Sequence, residues 1–423
     1  MISRIEAFKY RCFDHLDIKM ANYHVLAGPN GSGKTTLLDI PGLLGDMLRR
    51  GVAPAFLEAP LAGGIARSQS LQELIFHKLG NYFAFAVEFQ LPQSLQLELL
   101  SRITSKKLRD DQRNHPAGLR YEVRFQVFNY VELHVVDEFL ALLPEKSTEP
   151  KIGWGIGGKR PQTWRSIIQR ELGEPATLAP EYQGRKKYAL KLEPQELALA
   201  NVPRDAEQFP ATVWLRDFLE REVLFYQPAW AKLRQACPPG QPATLRADAI
   251  NLPWLVLNLK RQNPDSFEFW VDHVKVALPN LVGIDAVERE EDHHAYLKLE
   301  YESGYSVTSS GLSDGTLHIL ALTIVPYLND PPGLVVLEEP ENGIYPKAIE
   351  LVLQSLSSVE NSQVWLATHS PIVLANTELE SLIVMRCAKD GHVEAIPGTE
   401  HPRLKDWQAA IDLGSLFAAG VLS

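Results

Sequence analysis

The sequence predicts an α/β fold: a mainly parallel sheet flanked by helices, an antiparallel β lobe, and an inserted smaller subdomain. Three observations carry that expectation. A glycine-rich stretch joins a strand-like segment to a helix-like one near residue 30. Before residue 142, aromatic-rich segments alternate in polarity, as half-buried strands do. From residue 246 onward, short aliphatic runs alternate with amphipathic helical segments, the pattern of strands buried on both faces.

Bulk properties bound the rest. The chain has 423 residues, 45% hydrophobic and 22% charged, ordinary for a soluble globular protein and long enough for roughly two or three domains. Its three cysteines, Cys12, Cys237 and Cys387, form no CxxC pair, which argues against a disulfide framework or a zinc site and for a reducing, cytoplasmic setting. The start, "MISRIEAFKY", lacks the apolar run of a signal peptide. The longest apolar run, "TLHILALTIVPYL", is too short to span a bilayer, so no membrane partner is expected. A net charge of −10 excludes generic nucleic-acid binding by global charge. The basic clusters Lys106, Lys107, Arg109, Arg113 and Arg185, Lys186, Lys187 read as solvated surface.

Residues 2–28 read as two short strands and a turn ending in "YHVLAG". "TTLLDIPGLLGDML" reads as a helix ended or kinked by Pro41. "NYFAFAVEFQLP" is a strand, and "LRYEVRFQVFNYVELHVVDEFLAL" two more turning at Asn129. From 143 to 245, proline, glycine and charge become frequent, as in "PEKSTEPKIGWGIGGKRPQ". This predicts a loop-rich insertion with a few helices, among them "TVWLRDFLEREVLFY". The expected division is therefore 1–142, 143–245 and 246–423. Beyond 246, "INLPWLVLNLKRQ" and "SFEFWVDHVKVAL" read as helices and "HAYLKLEYESGYSV" as a hairpin. "SDGTLHILALTIVPYL" and "PKAIELVLQSLSS" read as helices, "GLVVLE" and "QVWLATHS" as buried strands, and "SLIVMRCAKDGHVEAI" as a closing hairpin.

"GPNGSGKTT", residues 28–36, matches G-x-x-x-x-G-K-[ST] in the strand-to-helix context that gives the motif meaning. Gly28, Gly31 and Gly33 let backbone amides curl around phosphate oxygens, and the following helix aims its positive end at the same group. Lys34 would reach β- and γ-phosphates, and the Thr35 hydroxyl would bind Mg²⁺. "LVVLEEPENG", 334–343, ends an aliphatic strand in two carboxylates that a packed core would penalise. A bound nucleotide and its metal meet that cost: Glu338 would enter the Mg²⁺ shell and Glu339 would act as general base. "TSSGLSDGTLHIL", 308–320, offers a second phosphate-binding helix start through Ser313 and Gly315; the plain alternative is an N-cap at Ser313. "ATHSP", 367–371, places His369 at a strand end, with Ser370 and Pro371 suited to cap and open a helix.

Together these motifs resemble the ATP-binding-cassette type head of RecF, the SMC proteins and the ATPase half of the OLD nucleases, most closely the short AAA-family ATPases with a compact insertion. The resemblance covers 1–142 and 246–423 and includes "AFKYRCF" as a first strand. It implies an ABC-type P-loop NTPase. ATP would be held by Gly28, Pro29, Asn30, Gly31, Ser32, Gly33, Lys34, Thr35 and Thr36, completed by Ser313 and Gly315 of a second subunit. Hydrolysis would run through Glu339 with Lys34 and His369. It further implies a homodimer or higher oligomer, DNA as a partner, a separate nuclease or effector chain, and a role in bacterial DNA repair or anti-phage defence. Four departures stand out: Glu338 where aspartate is usual, Asp314 at a signature glycine position, Tyr345 in place of a histidine, and a Q-loop residue that is either Gln90 or Glu138. The stretch after His369 is too short for an OLD nuclease domain, and "EREEDHH", 288–294, reads as a solvated hairpin tip rather than a metal site. The competing function classes are a non-hydrolysing ATP-dependent scaffold, a transporter ATPase, and a small-molecule kinase, for which "LSDGT" would have no use.

Overall fold

The computed structural model describes residues 1–59, 65–103, 106–111, 115–145, 160–161, 163–182, 186–404 and 412–422. Two compact units share the chain: Met1–Ala21, Gly31–Glu222 and Met385–Ile396 form the first, and Asn22–Asn30, Val223–Val384 and Pro397–Ser423 the second. The chain opens with three strands, where two were expected. β1 (Ile2–Tyr10) and β2 (Phe13–Lys19) belong to the first unit, and β3 (Tyr23–Ala27) to the second.

In the first unit, β1 and β2 join β4 (Tyr82–Gln90), β5 (Pro116–Phe128), β6 (Glu132–Pro144), β7 (Arg165–Glu171), β8 (Ala176–Leu178) and β9 (Tyr188–Leu190). They form one antiparallel sheet in the order β2-β1-β4-β5-β6-β7-β8-β9. The β5–β6 turn falls at Asn129 and Tyr130, both at positive φ, as expected. Its helices are α1 (Lys34–Arg50), α2 (Val52–Leu57), α3 (Gln93–Ser101), α4 (Lys106–Arg109), α5 (Ala198–Asn201) and α6 (Pro210–Asp217). Period-two alternation puts Tyr10, Phe83, Phe85 and Phe125 together, where they pack edge-on and tilted with one another, Tyr10 and Phe83 also against Phe56 of α2.

α1 runs unbroken through Pro41, which was expected to end or kink it. A proline inside a helix costs about 3 kcal/mol. Leu37, Leu38, Ile40, Leu43, Leu44 and Met47 are all buried along the same helix, each worth about 1.5–3 kcal/mol, so burial outweighs the lost hydrogen bond.

Other positions of this sheet carry charge. Arg120, its side chain 4% exposed, bridges Glu6 at 2.6 Å, Glu88 at 2.7 Å and Glu122 at 2.6 Å. Glu138 is fully buried on β6 and accepts hydrogen bonds from the Tyr121 hydroxyl (2.9 Å) and the Ala198 and Leu199 amides (2.6 and 2.8 Å). Burial pushes its carboxyl pKa up, against those hydrogen bonds. Its oxygens thus anchor the start of α5. Gln90, the other Q-loop candidate, is exposed at the end of β4, its backbone paired with that of Met1.

The observed division differs from the one composition suggests. The 142/143 boundary falls inside β6, and 165–222 continue the first unit's sheet and helices. The glycine-rich run 146–159 lies outside the described residues. The helix expected across 212–226 stops at Asp217, continues as a π-turn over Phe218–Glu222, and gives way to strand β10 (Val223–Phe225). β10 pairs in parallel with Leu334–Val336; that tertiary pairing overrides the local helical pattern.

The second unit contains β10, β11 (Leu281–Glu288), β12 (Ala295–Tyr301), β13 (Ser306–Thr308), β14 (Leu334–Glu338), β15 (Gln363–Thr368) and β16 (Leu382–Cys387), the last leaving it after Val384. β10, β14, β15, β3 and β16 lie side by side in that order, all parallel. Its helices are α7 (Trp230–Leu233), α8 (Leu252–Gln262), α9 (Pro264–Ala277), α10 (Asp314–Thr323), α11 (Pro346–Ser357), α12 (Pro371–Ala375) and α13 (Leu413–Ala418). One core joins Val25, Val335, Leu337, Val364 and Leu366 of the strands to Leu255, Trp270, Leu317, Leu320 and Val352 of the helices. β17 (Val393–Pro397) follows β16 across the expected turn. β11, β12 and β13 make a separate antiparallel sheet. The 288–294 stretch joins β11 to β12, and among the described residues no group of three or more His, Cys, Asp or Glu is placed to hold a metal. No helix among the described residues is long and apolar enough to cross a membrane.

Candidate nucleotide site

Parallel strands end on one edge, and in an open α/β sheet that edge is where ligands bind. In the second unit, Glu338 at the end of β14 is paired with Ala367 of β15, and Thr368, the next residue, with Ala27 of β3. Three loops therefore leave one edge in a row: Glu339–Tyr345 after β14, His369 and Ser370 after β15, and Gly28–Asn30 after β3. At about 4.8 Å per strand, the acidic doublet and the start of the glycine loop are about 10 Å apart. The acids and Gly28–Asn30, more than 300 residues apart in sequence, leave the same edge of this unit's sheet.

The loop after β14 is held tightly. Glu339 adopts a left-handed backbone (φ 48°) and its N–H donates to the Ala367 carbonyl at 2.8 Å, conformational strain worth about 1–3 kcal/mol that clusters at functional positions. Its Oε1 lies 2.8 Å from His369 Nδ1, and its Oε2 accepts from Asn342 Nδ2 at 2.8 Å. Glu341 Oε1 accepts from the Thr368 hydroxyl at 2.5 Å, while Thr368 Oγ1 accepts from the Ser370 N–H at 2.9 Å. Burial pushes the Glu341 carboxyl pKa up, the Thr368 bond opposing it. Glu338 Oε1 and Glu341 Oε2 are buried with no hydrogen-bond partner. Glu341, Asn342 and Thr368 were missed in the sequence; the glutamate three residues after Glu338 was the available signal. Ser370 precedes α12 with Pro371 at its first position, but its side chain makes no cap hydrogen bond.

The signature stretch lies in the same unit. Ser313 caps α10, its Oγ accepting from the Thr316 N–H at 3.1 Å, so the plain capping role is realised. A Cβ on Gly315 would lie 2.8 Å from the Gly343 carbonyl oxygen, and one on Gly343 (φ 80°) 2.9 Å from His318 Cε1. Only glycines allow α10 to approach the acidic loop this closely. His318 is 4% exposed, and burial lowers its pKa to about 4, so it is neutral at physiological pH. Tyr345 is 67% exposed and precedes Pro346 at the start of α11.

In the first unit, Gly31 and Gly33 take positive φ, and Gly33 precedes Lys34, the first residue of the 17-residue α1. Ser32 Oγ is buried without a hydrogen-bond partner. The Cys12 side chain lies beneath this turn and hydrogen-bonds Thr36; burial pushes its thiol pKa up.

The protein oxygens at the β14 edge fit a hard cation. The donors are carboxylate and hydroxyl oxygens, and Glu338 Oε1 lacks a partner. A hard cation such as Mg²⁺ takes few protein oxygens, keeping waters and phosphate oxygens as further ligands.

Residues 24–375 match the family model described as "AAA domain, putative AbiEii toxin, Type IV TA system". No curated protein matches the chain. Solved structures similar to it include an Smc head bound to the C-terminal winged-helix domain of ScpA (13% identity, 93% of this chain and 97% of that one, TM-score 0.48). Another is an Smc head with an extended coiled coil bound to the C-terminal domain of ScpA from Pyrococcus furiosus (12%, 93% and 95%, TM-score 0.47). A third is the SMC head domain from Thermotoga maritima (10%, 94% and 98%, TM-score 0.42). With the family model spanning most of its length, this chain belongs to that AAA-domain family.

Proposed function

We propose that the protein binds and hydrolyses ATP with Mg²⁺, and that ATP draws two copies together to control a separate DNA-acting effector. The observation that carries this reading is the shared strand edge, where Gly28–Asn30, Glu338, Glu339 and His369 emerge in adjacent loops. Gly28–Thr36 would wrap the phosphates, with Lys34 on the β- and γ-phosphates. Thr35 and Glu338 would hold Mg²⁺, which supplies compensation for phosphate charge. Glu339 orients the attacking water and accepts its proton, and His369 and Asn342 fix the Glu339 carboxylate for that task. Ser313 and Gly315 of a second copy would complete the phosphate cradle. The family description, with its toxin of a type IV toxin–antitoxin system, supports a role in defence or growth control, with DNA repair the neighbouring alternative.

One observation favours a second reading. Both Glu339 oxygens are engaged, by His369 and by Asn342, which suits a scaffold that binds ATP without turning it over. Sizing the protein with and without ATP and Mg²⁺, alongside phosphate release, separates the two. The ATPase reading expects Glu339→Gln to lower turnover at least about 100-fold and to accumulate the ATP-bound dimer. Unchanged turnover in that variant overturns the assignment of Glu339, and ATP-dependent assembly with no phosphate release in wild type selects the scaffold.

A further inference from the structure

Asp314 departs from the expected glycine and puts a carboxylate at the first position of α10. A helix start carries roughly +0.5 charge, so one uncompensated carboxylate there more than cancels the attraction for an incoming phosphate. The structure supplies the compensation from a distant part of the chain. Arg234, immediately after α7, donates from Nη2 to Asp314 Oδ1 at 2.7 Å and from Nη1 to the Leu312 carbonyl. The guanidinium thus spans Ser313, gripping the residue before it and the residue after it. α7 is itself seated on α10, its Trp230 ring packed on His318. Arg234 is 35% exposed and Asp314 61%, so the pair faces outward, where a second copy's nucleotide would arrive.

We propose that Arg234 is a positioning residue of the signature turn: by neutralising Asp314 and holding it aside, it leaves the α10 start net positive and able to receive a phosphate. This rests on the reading that Ser313 and Gly315 meet the nucleotide of a second copy. It deepens that reading by explaining how a signature with an acid in place of glycine still works. The function of the pair is electrostatic. An exposed ion pair of this kind adds little to stability, so its removal separates phosphate binding from folding.

The test is a rescue experiment on the full chain with Arg234→Ala, Arg234→Gln, Asp314→Asn and the Arg234→Ala/Asp314→Asn double variant. ATP- and Mg²⁺-dependent self-association is measured by sedimentation, with KM and kcat for ATP and thermal melting beside it. Arg234→Gln keeps a polar, hydrogen-bonding side chain but carries no charge, so it reports on charge even where Arg234→Ala disturbs the loop. Both Arg234 single variants are expected to weaken ATP-dependent association or raise KM about tenfold. The double variant is expected within about twofold of wild type, because removing the carboxylate removes the need for the arginine. A double variant as defective as Arg234→Ala, or an Arg234→Gln protein that behaves as wild type, overturns the proposal while leaving the ATPase reading intact. A wild-type protein that neither associates nor turns over with ATP overturns the ATPase reading, and the role of Arg234 with it.

Discussion

In the antiparallel unit, the buried glutamates spend their oxygens on partners. Glu6 meets Arg120, Glu138 takes Tyr121 and two amides, and Glu181 takes the Ala211 amide and both the amide and hydroxyl of Thr212. At the edge of the parallel sheet the pattern inverts: Glu338 Oε1 and Glu341 Oε2 are buried with no partner, although Thr368, Asn342 and His369 lie at the same edge. An unmet buried acceptor costs about 1–3 kcal/mol. The contrast holds for the carboxylates: those buried in the antiparallel unit are met, and the two open oxygens at the parallel edge are where the proposed Mg²⁺ and ATP would supply partners. Acids built into architecture and acids kept for a ligand are told apart by their unfilled lone pairs more than by their burial.

The largest stability effect expected from this contrast is Glu138→Gln. An amide there turns its NH2 against the Ala198 N–H in one orientation or the Leu199 N–H in the other, and the loss should be about 3 kcal/mol by denaturant titration; a loss under about 0.5 kcal/mol would erase the distinction. Gly343→Ala comes next. Its positive φ and the 2.9 Å approach to His318 Cε1 predict a loss of about 1–2 kcal/mol with weaker coupling between α10 and the acidic loop, seen as faster amide exchange in 313–318. A neutral outcome would mean this approach is loose.

Glu341→Gln should have the smallest and opposite effect: a neutral change or a gain of about 1 kcal/mol at pH 7, because an unmet charge is removed and the Thr368 bond can persist. Its pH dependence has a defined sign. Burial raises the Glu341 carboxyl above its ordinary 4.5, so between that value and its raised one the folded state binds more protons than the unfolded. The wild-type penalty is then full above the raised value and disappears as pH falls toward 4.5. The stability gap between Glu341→Gln and wild type should narrow over that range; a gap that widens contradicts the assignment. His318 runs the other way. With its pKa lowered from 6.5 to about 4, the unfolded state takes the extra proton, and stability that depends on neutral His318 is lost as pH falls from 6.5 through 4. Melts of the His318→Gln variant should be flatter over that interval than those of wild type.

How much of this was legible in the sequence follows from range. The strand ends at Ala27, Glu338 and Thr368 could be read because each is a short aliphatic run closed by a polar or glycine residue. The parallel sheet followed from their alternation with helices. Pro41 misled because its local cost is visible in sequence while the burial that offsets it is not. Val223–Phe225 looked like the tail of a helix because a three-residue edge strand has no period of its own; only its pairing with β14 defines it. Glu341 was hidden beside a more conspicuous doublet, since its neighbour Thr368 is 27 residues away. Arg234 and Asp314, 80 residues apart, carry no mutual signal in the chain.

In the proposed site, Glu338 and the glycine loop act on one nucleotide. Calorimetric titration of ATP into wild type and Glu338→Gln, each with and without Mg²⁺, tests this most directly. Wild type should bind ATP more tightly with Mg²⁺ than without it, and Glu338→Gln should lose that difference while still binding ATP through Gly28–Thr36. A Glu338→Gln protein with the full Mg²⁺ dependence of wild type would show that the acidic edge and the nucleotide are separate.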